Sequence, residues 1–122
     1  MKIGITGASG MLGTALINEL SNKHEVFATA RKKGVEKENI NWQCFDLTDI
    51  QKLKKWLVDN NPDVVVHCAA LVNVDECEKN ESYAELLHIQ STKVLSEYLV
   101  EINGTLIYIS TDSVFDGDKL TP

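Results

Sequence analysis

Three glycines recur at every third position in Thr6-Gly7-Ala8-Ser9-Gly10-Met11-Leu12-Gly13, between a short β-rich run and a run of apolar residues at helical spacing. In a strand-to-helix turn of this kind Gly7 permits the sharp bend, Gly10 lets a pyrophosphate approach the backbone, and Gly13 lets helix and strand pack closely. The free N–H groups at the helix start then face the phosphate. A Walker-type P-loop is excluded, because no Gly-Lys-Ser/Thr follows. Three further polar or small-residue segments fall where strands should end: Asp46-Leu47, Cys68-Ala69-Ala70 and Ser110-Thr111-Asp112. The last places three hydrogen-bonding side chains where an open α/β sheet presents its active site.

The elements that must hold these groups alternate along the chain. Met1 to Thr6 reads as a strand, and Met11, Leu12, Ala15, Leu16 and Leu20 mark the apolar spacing of the helix after it. Second and third strands are expected over Glu25 to Thr29 and Asn41 to Phe45. Thr48 with Gln51 is a capping-box pattern opening a helix with Ile50, Leu53, Leu57 and Val58 inward, and Pro62 stops it. Asp63 to Cys68 carries Val64-Val65-Val66, a continuous apolar run suited to a strand covered on both faces. Ser82 with Glu85 opens a helix running to about Asn103, with Gly104 as its cap, and Thr105 to Ser110 is a fifth strand. This alternation predicts a Rossmann-type α/β domain over residues 1–122: a doubly wound parallel sheet with right-handed crossovers and a crevice beyond the C-terminal strand ends.

Composition narrows the field. The 122 residues carry a net charge of -6, with 18 acids against 12 bases, so a nucleic-acid footprint is not expected. The cluster Lys52-Leu53-Lys54-Lys55 reads as a solvated helix face, whereas Arg31-Lys32-Lys33 is either a solvated turn or a site for an anion. No apolar run approaches the ~20 residues of a membrane span, so no membrane partner is expected. Cys44, Cys68 and Cys77 are odd in number and lack metal-ligand spacing, and the N-terminus opens as a strand, which together point to a reduced cytoplasmic location and no metal. His24, His67 and His88 read as ordinary surface or hydrogen-bonded core residues.

The Gly7, Gly10, Gly13 spacing resembles that of extended short-chain dehydrogenases. His67-Cys68-Ala69-Ala70-Leu71-Val72-Asn73-Val74-Asp75-Glu76-Cys77-Glu78 is similar to the N-A-A-A-x-T-x-V-D-x-A-E segment of dTDP-4-dehydrorhamnose reductases. Ile109-Ser110-Thr111-Asp112-Ser113-Val114-Phe115-Asp116-Gly117 resembles that family's I-S-T-D-Y-V-F-D-G and is the more specific match. The chain departs at His67, where the family usually has Asn, at Ser113, where it has Tyr, and at His88, where it has Asn.

The resemblance implies NADP(H) or NAD(H) as cofactor and a nucleotide-sugar substrate. It implies cofactor contacts at Gly7, Ser9, Gly10, Met11, Leu12, Gly13, Arg31, Asp46, Leu47, Cys68, Ala69, Ala70 and Ser110, and substrate contacts at Thr111 and Asp112. Small residues at Cys68, Ala69 and Ala70 would let a dinucleotide lie flat, and Asp46 would bond the adenine amino group. The second strand ends in Thr29-Ala30-Arg31 without an acid to grip a ribose 2′-hydroxyl, so Arg31 would meet a 2′-phosphate instead.

The implied reaction is reduction of a nucleotide-linked 4-keto-6-deoxy sugar, with Thr111 bonding the reacting oxygen. The resemblance implies the family's catalytic Tyr-x-x-x-Lys shortly after Pro122; none of Tyr83, Tyr98 and Tyr108 has a Lys four positions on. Residues 1–122 alone are therefore expected to bind dinucleotide weakly and to catalyse nothing. Two alternatives remain: a nucleotide-sugar epimerase or dehydratase, and a non-catalytic binding protein similar to the regulatory subunit of methionine adenosyltransferase.

Overall fold

The computed structural model describes residues 1–69 and 86–109. Within them run β1 (Lys2–Thr6), α1 (Met11–Leu20), β2 (Glu25–Ala30), β3 (Ile40–Cys44), α2 (Ile50–Asn60), β4 (Val64–His67), a π-helical turn (Leu86–Gln90), α3 (Ser91–Glu101) and β5 (Thr105–Tyr108). The five strands form one parallel sheet in the order β3-β2-β1-β4-β5. This is a Rossmann-like α/β arrangement, in which the chain starts in the middle and winds outward on both sides.

Alternation along the strands divides the core in two, since successive side chains point to opposite faces. Ile3 and Ile5 of β1, Val26 and Ala28 of β2 and Val66 of β4 pack with Ile17 of α1 on one face. On the other, Phe27 and Val65 pack with Leu53, Trp56 and Leu57 of α2 and Leu95 and Leu99 of α3. Full burial of each such leucine contributes about 1.5–3 kcal/mol, so both faces are strongly held. Thr6 and Thr29 share the second face, because they stand in register with one another, and His67 is Thr6's partner on the other side.

Several helix details differ from the sequence-based expectation. In α1 the buried positions are Gly13 and Ile17, with Leu16 and Leu20 packed at the margin; Met11, Leu12 and Ala15 are exposed. A glycine serves as the contact point here, and apolar spacing alone does not register it. In α2 the inner stripe is Leu53, Trp56 and Leu57, spaced i, i+3, i+4, whereas Val58 is one residue further round and exposed and Ile50 only half-buried. Its N-cap is Asp49, whose side chain accepts from the Lys52 amide, rather than Thr48; the Thr48 hydroxyl instead donates to Asp46 Oδ1 at 2.8 Å.

The last helix is not uniform: α3 is preceded by the π-helical turn, and it ends at Glu101. Asn103, not Gly104, takes the left-handed conformation with φ 57°. The Asn103 amide bonds the Val100 carbonyl and the Gly104 amide bonds the Leu99 carbonyl, a Schellman closure. The expected opening of this helix at Ser82 and Glu85 lies outside the described residues. No helix among the described residues is long and apolar enough to cross a membrane.

Candidate functional site

The turn after β1 is set by two close approaches. Gly7 has φ 62°, a conformation L side chains rarely adopt, and a Cβ on it would lie 2.6 Å from the Ala69 amide nitrogen. A Cβ on Gly13 would lie 2.6 Å from both the Ala8 Cα and the Gly7 carbonyl oxygen. These contacts clamp the first turn of α1 onto the end of β1 and bring the end of β4 against it. Gly10 differs: among the described residues, a Cβ there would meet the Gly7 carbonyl oxygen alone, at 3.4 Å. It is the N-cap of α1 and supplies no side-chain hydrogen bond to the amides of the first turn. Those amides, with the positive end of the helix dipole behind them, are left for an anion.

A cavity of about 670 Å³ opens there, beyond the C-terminal ends of the strands. It is lined by Gly7, Ser9 and Gly10 from the turn, Ala30, Arg31 and Lys32 after β2, Phe45, Asp46 and Leu47 after β3, Cys68 and Ala69 after β4, and Leu87 from the π-helical turn. A second depression of about 590 Å³ at the opposite end, around Lys2, Lys23, Glu25 and Asp63, lies away from the edge where open parallel sheets bind ligands.

The structure thus brings Gly7, Ser9, Gly10, Arg31, Asp46, Leu47, Cys68 and Ala69 to one cavity. Met11, Leu12 and Gly13 stand in the first turn of α1 but do not line it, and Gly13 is committed to packing. Ala70, Ser110, Thr111 and Asp112 lie outside the described residues. Among the described residues no cluster of His, Cys, Asp or Glu has the makings of a metal site. Ala30, Lys32, Phe45 and Leu87 line the cavity and were not singled out from sequence. Lys32 and Phe45 adjoin residues that were; Leu87 carries no local sequence signal.

Charge in the cavity is divided. Arg31 and Lys32 stand at the end of β2 and are exposed, while Asp46 Oδ1 accepts from both the amide and the hydroxyl of Thr48, fixing that carboxylate oxygen in a tight turn. Burial pushes the Cys68 thiol up to about 11, so it stays protonated at neutral pH and behaves as a small apolar wall.

Directly beneath the cavity floor lies a buried polar chain. Thr6 Oγ1 and His67 Nδ1 are 2.6 Å apart, the Ala69 amide donates to Thr6 Oγ1 at 3.3 Å, and His67 Nε2 is 3.4 Å from Ser91 Oγ. The Ser91 hydroxyl donates to the Leu87 carbonyl. Burial first, and the neighbouring His88 second, hold His67 down at about 4, so its ring is neutral at physiological pH. His67 is therefore a hydrogen-bonded core residue.

A parallel sheet wound outward from β1, with a glycine turn and an uncapped helix start facing a cavity at the C-terminal strand ends, defines a Rossmann-like unit. The chain belongs to the family described as RmlD substrate binding domain, which matches residues 1–122. It is 33% identical to dTDP-4-dehydrorhamnose reductase of Burkholderia thailandensis, over 100% of this chain and 37% of that protein. It is also 36% identical to methionine adenosyltransferase 2 subunit beta of Rattus norvegicus, over 95% of this chain and 34% of that one. A solved structure of a hypothetical dTDP-4-dehydrorhamnose reductase from Sulfolobus tokodaii matches with TM-score 0.84 and 34% identity, over 98% of this chain and 42% of its own. The chain spans little more than a third of the length of the curated relatives it matches.

Proposed function

We propose that the protein carrying this chain is an NAD(P)H-dependent reductase of a nucleotide-linked 4-keto-6-deoxy sugar, with dTDP-4-dehydrorhamnose as its substrate, and that residues 1–122 form its dinucleotide-binding part. One observation carries this reading: the uncapped start of α1 at Gly10 opens into the cavity, with Arg31 and Lys32 at one end and Ala69 packed against Gly7. That arrangement suits a dinucleotide: the first-turn amides take the pyrophosphate, and the two cations take a 2′-phosphate. Cys68 and Ala69 offer a shallow wall for a flat ring, and Asp46 offers a carboxylate to an adenine amino group. The bound nicotinamide would supply hydride to the sugar's C4 carbonyl. Thr111 would hydrogen-bond the reacting oxygen, with Asp112 beside it on the sugar. The reductase named among the relatives supports the sugar assignment.

A second reading, a non-catalytic nucleotide-binding regulatory protein, is favoured by one observation: the identity to the methionine adenosyltransferase beta subunit is as high as that to the reductase. The two readings share the cavity and differ in turnover. The full-length protein given NADPH and dTDP-4-dehydrorhamnose should oxidise the cofactor, followed by its absorbance. NADPH binding without turnover would move the assignment to the regulatory reading.

A further inference from the structure

Among the described residues under the cavity, the hydrogen bonds fit one proton arrangement. The Ser91 hydroxyl has one proton and gives it to the Leu87 carbonyl, so towards His67 it can only accept. His67 therefore carries its proton on Nε2, which leaves Nδ1 as an acceptor. The Thr6 proton goes to Nδ1, and the remaining lone pairs of Thr6 Oγ1 receive the Ala69 amide. The chain reads Ala69 N–H to Thr6 O–H to His67 to Ser91 O–H to the Leu87 carbonyl. Each donor has one acceptor, and only the neutral Nε2–H tautomer satisfies all four links.

Its two ends are cavity walls. Ala69 packs on Gly7 at the phosphate turn, and Leu87 stands on the far side, in the π-helical turn. Such turns interrupt regular helix bonding and commonly sit at functional sites. Here the turn's Leu87 carbonyl is held by the Ser91 hydroxyl and its His88 carbonyl by the Thr92 hydroxyl, the latter at 2.6 Å.

We propose that His67 is a positioning residue of the dinucleotide cradle, tying the Gly7–Ala69 wall to the Leu87 wall through its two ring nitrogens. This rests on the dinucleotide reading of the cavity. His67 touches no part of the cavity surface itself, being 1% exposed, and acts only through the residues it spans. Among the described residues, the titratable groups that face it are Tyr108 of β5, whose ring centroid lies 5.8 Å away, and His88 of the π-helical turn; Thr6 and Ser91 face its nitrogens.

The test is calorimetry with NADPH on the full-length protein and its S91A, H67N and S91A/H67N variants, with thermal unfolding to certify folding. Asn reaches the Thr6 side of the ring position but not Ser91. Each single variant should weaken NADPH about fivefold, the loss expected for one neutral buried hydrogen bond. The double variant should be no weaker than H67N, because both changes cut the same arm. Folded single variants that bind within twofold of the parent would overturn the proposal while leaving the dinucleotide reading intact. A parent that binds neither NADPH nor NADH would overturn both. Should H67N fail to fold, S91A and the parent's imidazole nitrogen spectrum decide: a proton on Nδ1 rather than Nε2 would contradict the assigned chain.

Discussion

Gly7 and Ala69 touch so closely that no side chain fits between them: a Cβ on Gly7 would lie 2.6 Å from the Ala69 amide nitrogen and 2.7 Å from its Cα. Both atoms belong to backbone just beyond the end of β4, where the Ala69 amide is tied to Thr6 Oγ1, so neither can give way cheaply.

The glycines of the turn should therefore separate by experiment. G7A combines a strained φ with a backbone clash, and G13A drives a methyl into Ala8, so each should destabilise the fold by about 2 kcal/mol or more. G10A should leave the melting temperature nearly unchanged, since its methyl meets only one atom at 3.4 Å, yet should weaken NADPH about tenfold by occupying the anion approach. Equal melting losses in all three would refute this division.

Arg31 should decide cofactor preference. R31A removes one of two cations at the end of β2 and should weaken NADPH about tenfold or more while leaving NADH unchanged. Titrating both cofactors into the variant checks it; unchanged NADPH affinity would sink the 2′-phosphate role.

Acid should destabilise the fold through His67. The unfolded chain protonates this imidazole near 6.5, whereas burial and His88 keep the folded ring neutral down to about 4. The unfolded state thus binds more protons between those values. The stability contributed by His67 is fully present above pH 6.5 and is lost as pH falls to 4, by about 3 kcal/mol in all. Urea unfolding across that window should show the slope, and H67N should flatten it.

In the full-length protein, T111V keeps the side chain's shape and removes its hydroxyl. Turnover should fall roughly tenfold or more with cofactor affinity little changed, as for a hydrogen bond made in the transition state. Wild-type turnover would remove Thr111 from the chemistry.

The sheet was legible because its signals are local. Val64-Val65-Val66 announced an interior strand, and it pairs with β1 on one side and β5 on the other. The glycine spacing announced the turn. What stayed hidden depends on neighbours far along the chain or on small geometric choices. Apolar spacing in α2 accommodates Val58 as readily as Trp56; the tryptophan turns inward against Phe45, ring centroids 6.3 Å apart, and into the space left by the missing side chain of Gly4. Thr48 matched a capping pattern one residue too early, because Asp49 caps equally well and Asp46 claims the threonine hydroxyl. The link from Thr6 to His67 joins residues 61 apart, and nothing in either segment announces the other.

The sheet's strand order also imposes a schedule. β1 precedes the other described strands and sits in the middle, and its first partner, β2, follows after one short helix. Its other partner begins at Val64, opposite Ile3, so the ribosome must add about 60 more residues before that edge is covered, which takes roughly 3–12 s at ordinary elongation rates. Throughout that interval the floor of the cavity is half-built: Thr6 waits without His67, and Gly7 without Ala69. During synthesis, one edge of β1 stays bare for seconds, a stage open to mispairing and to chaperone capture.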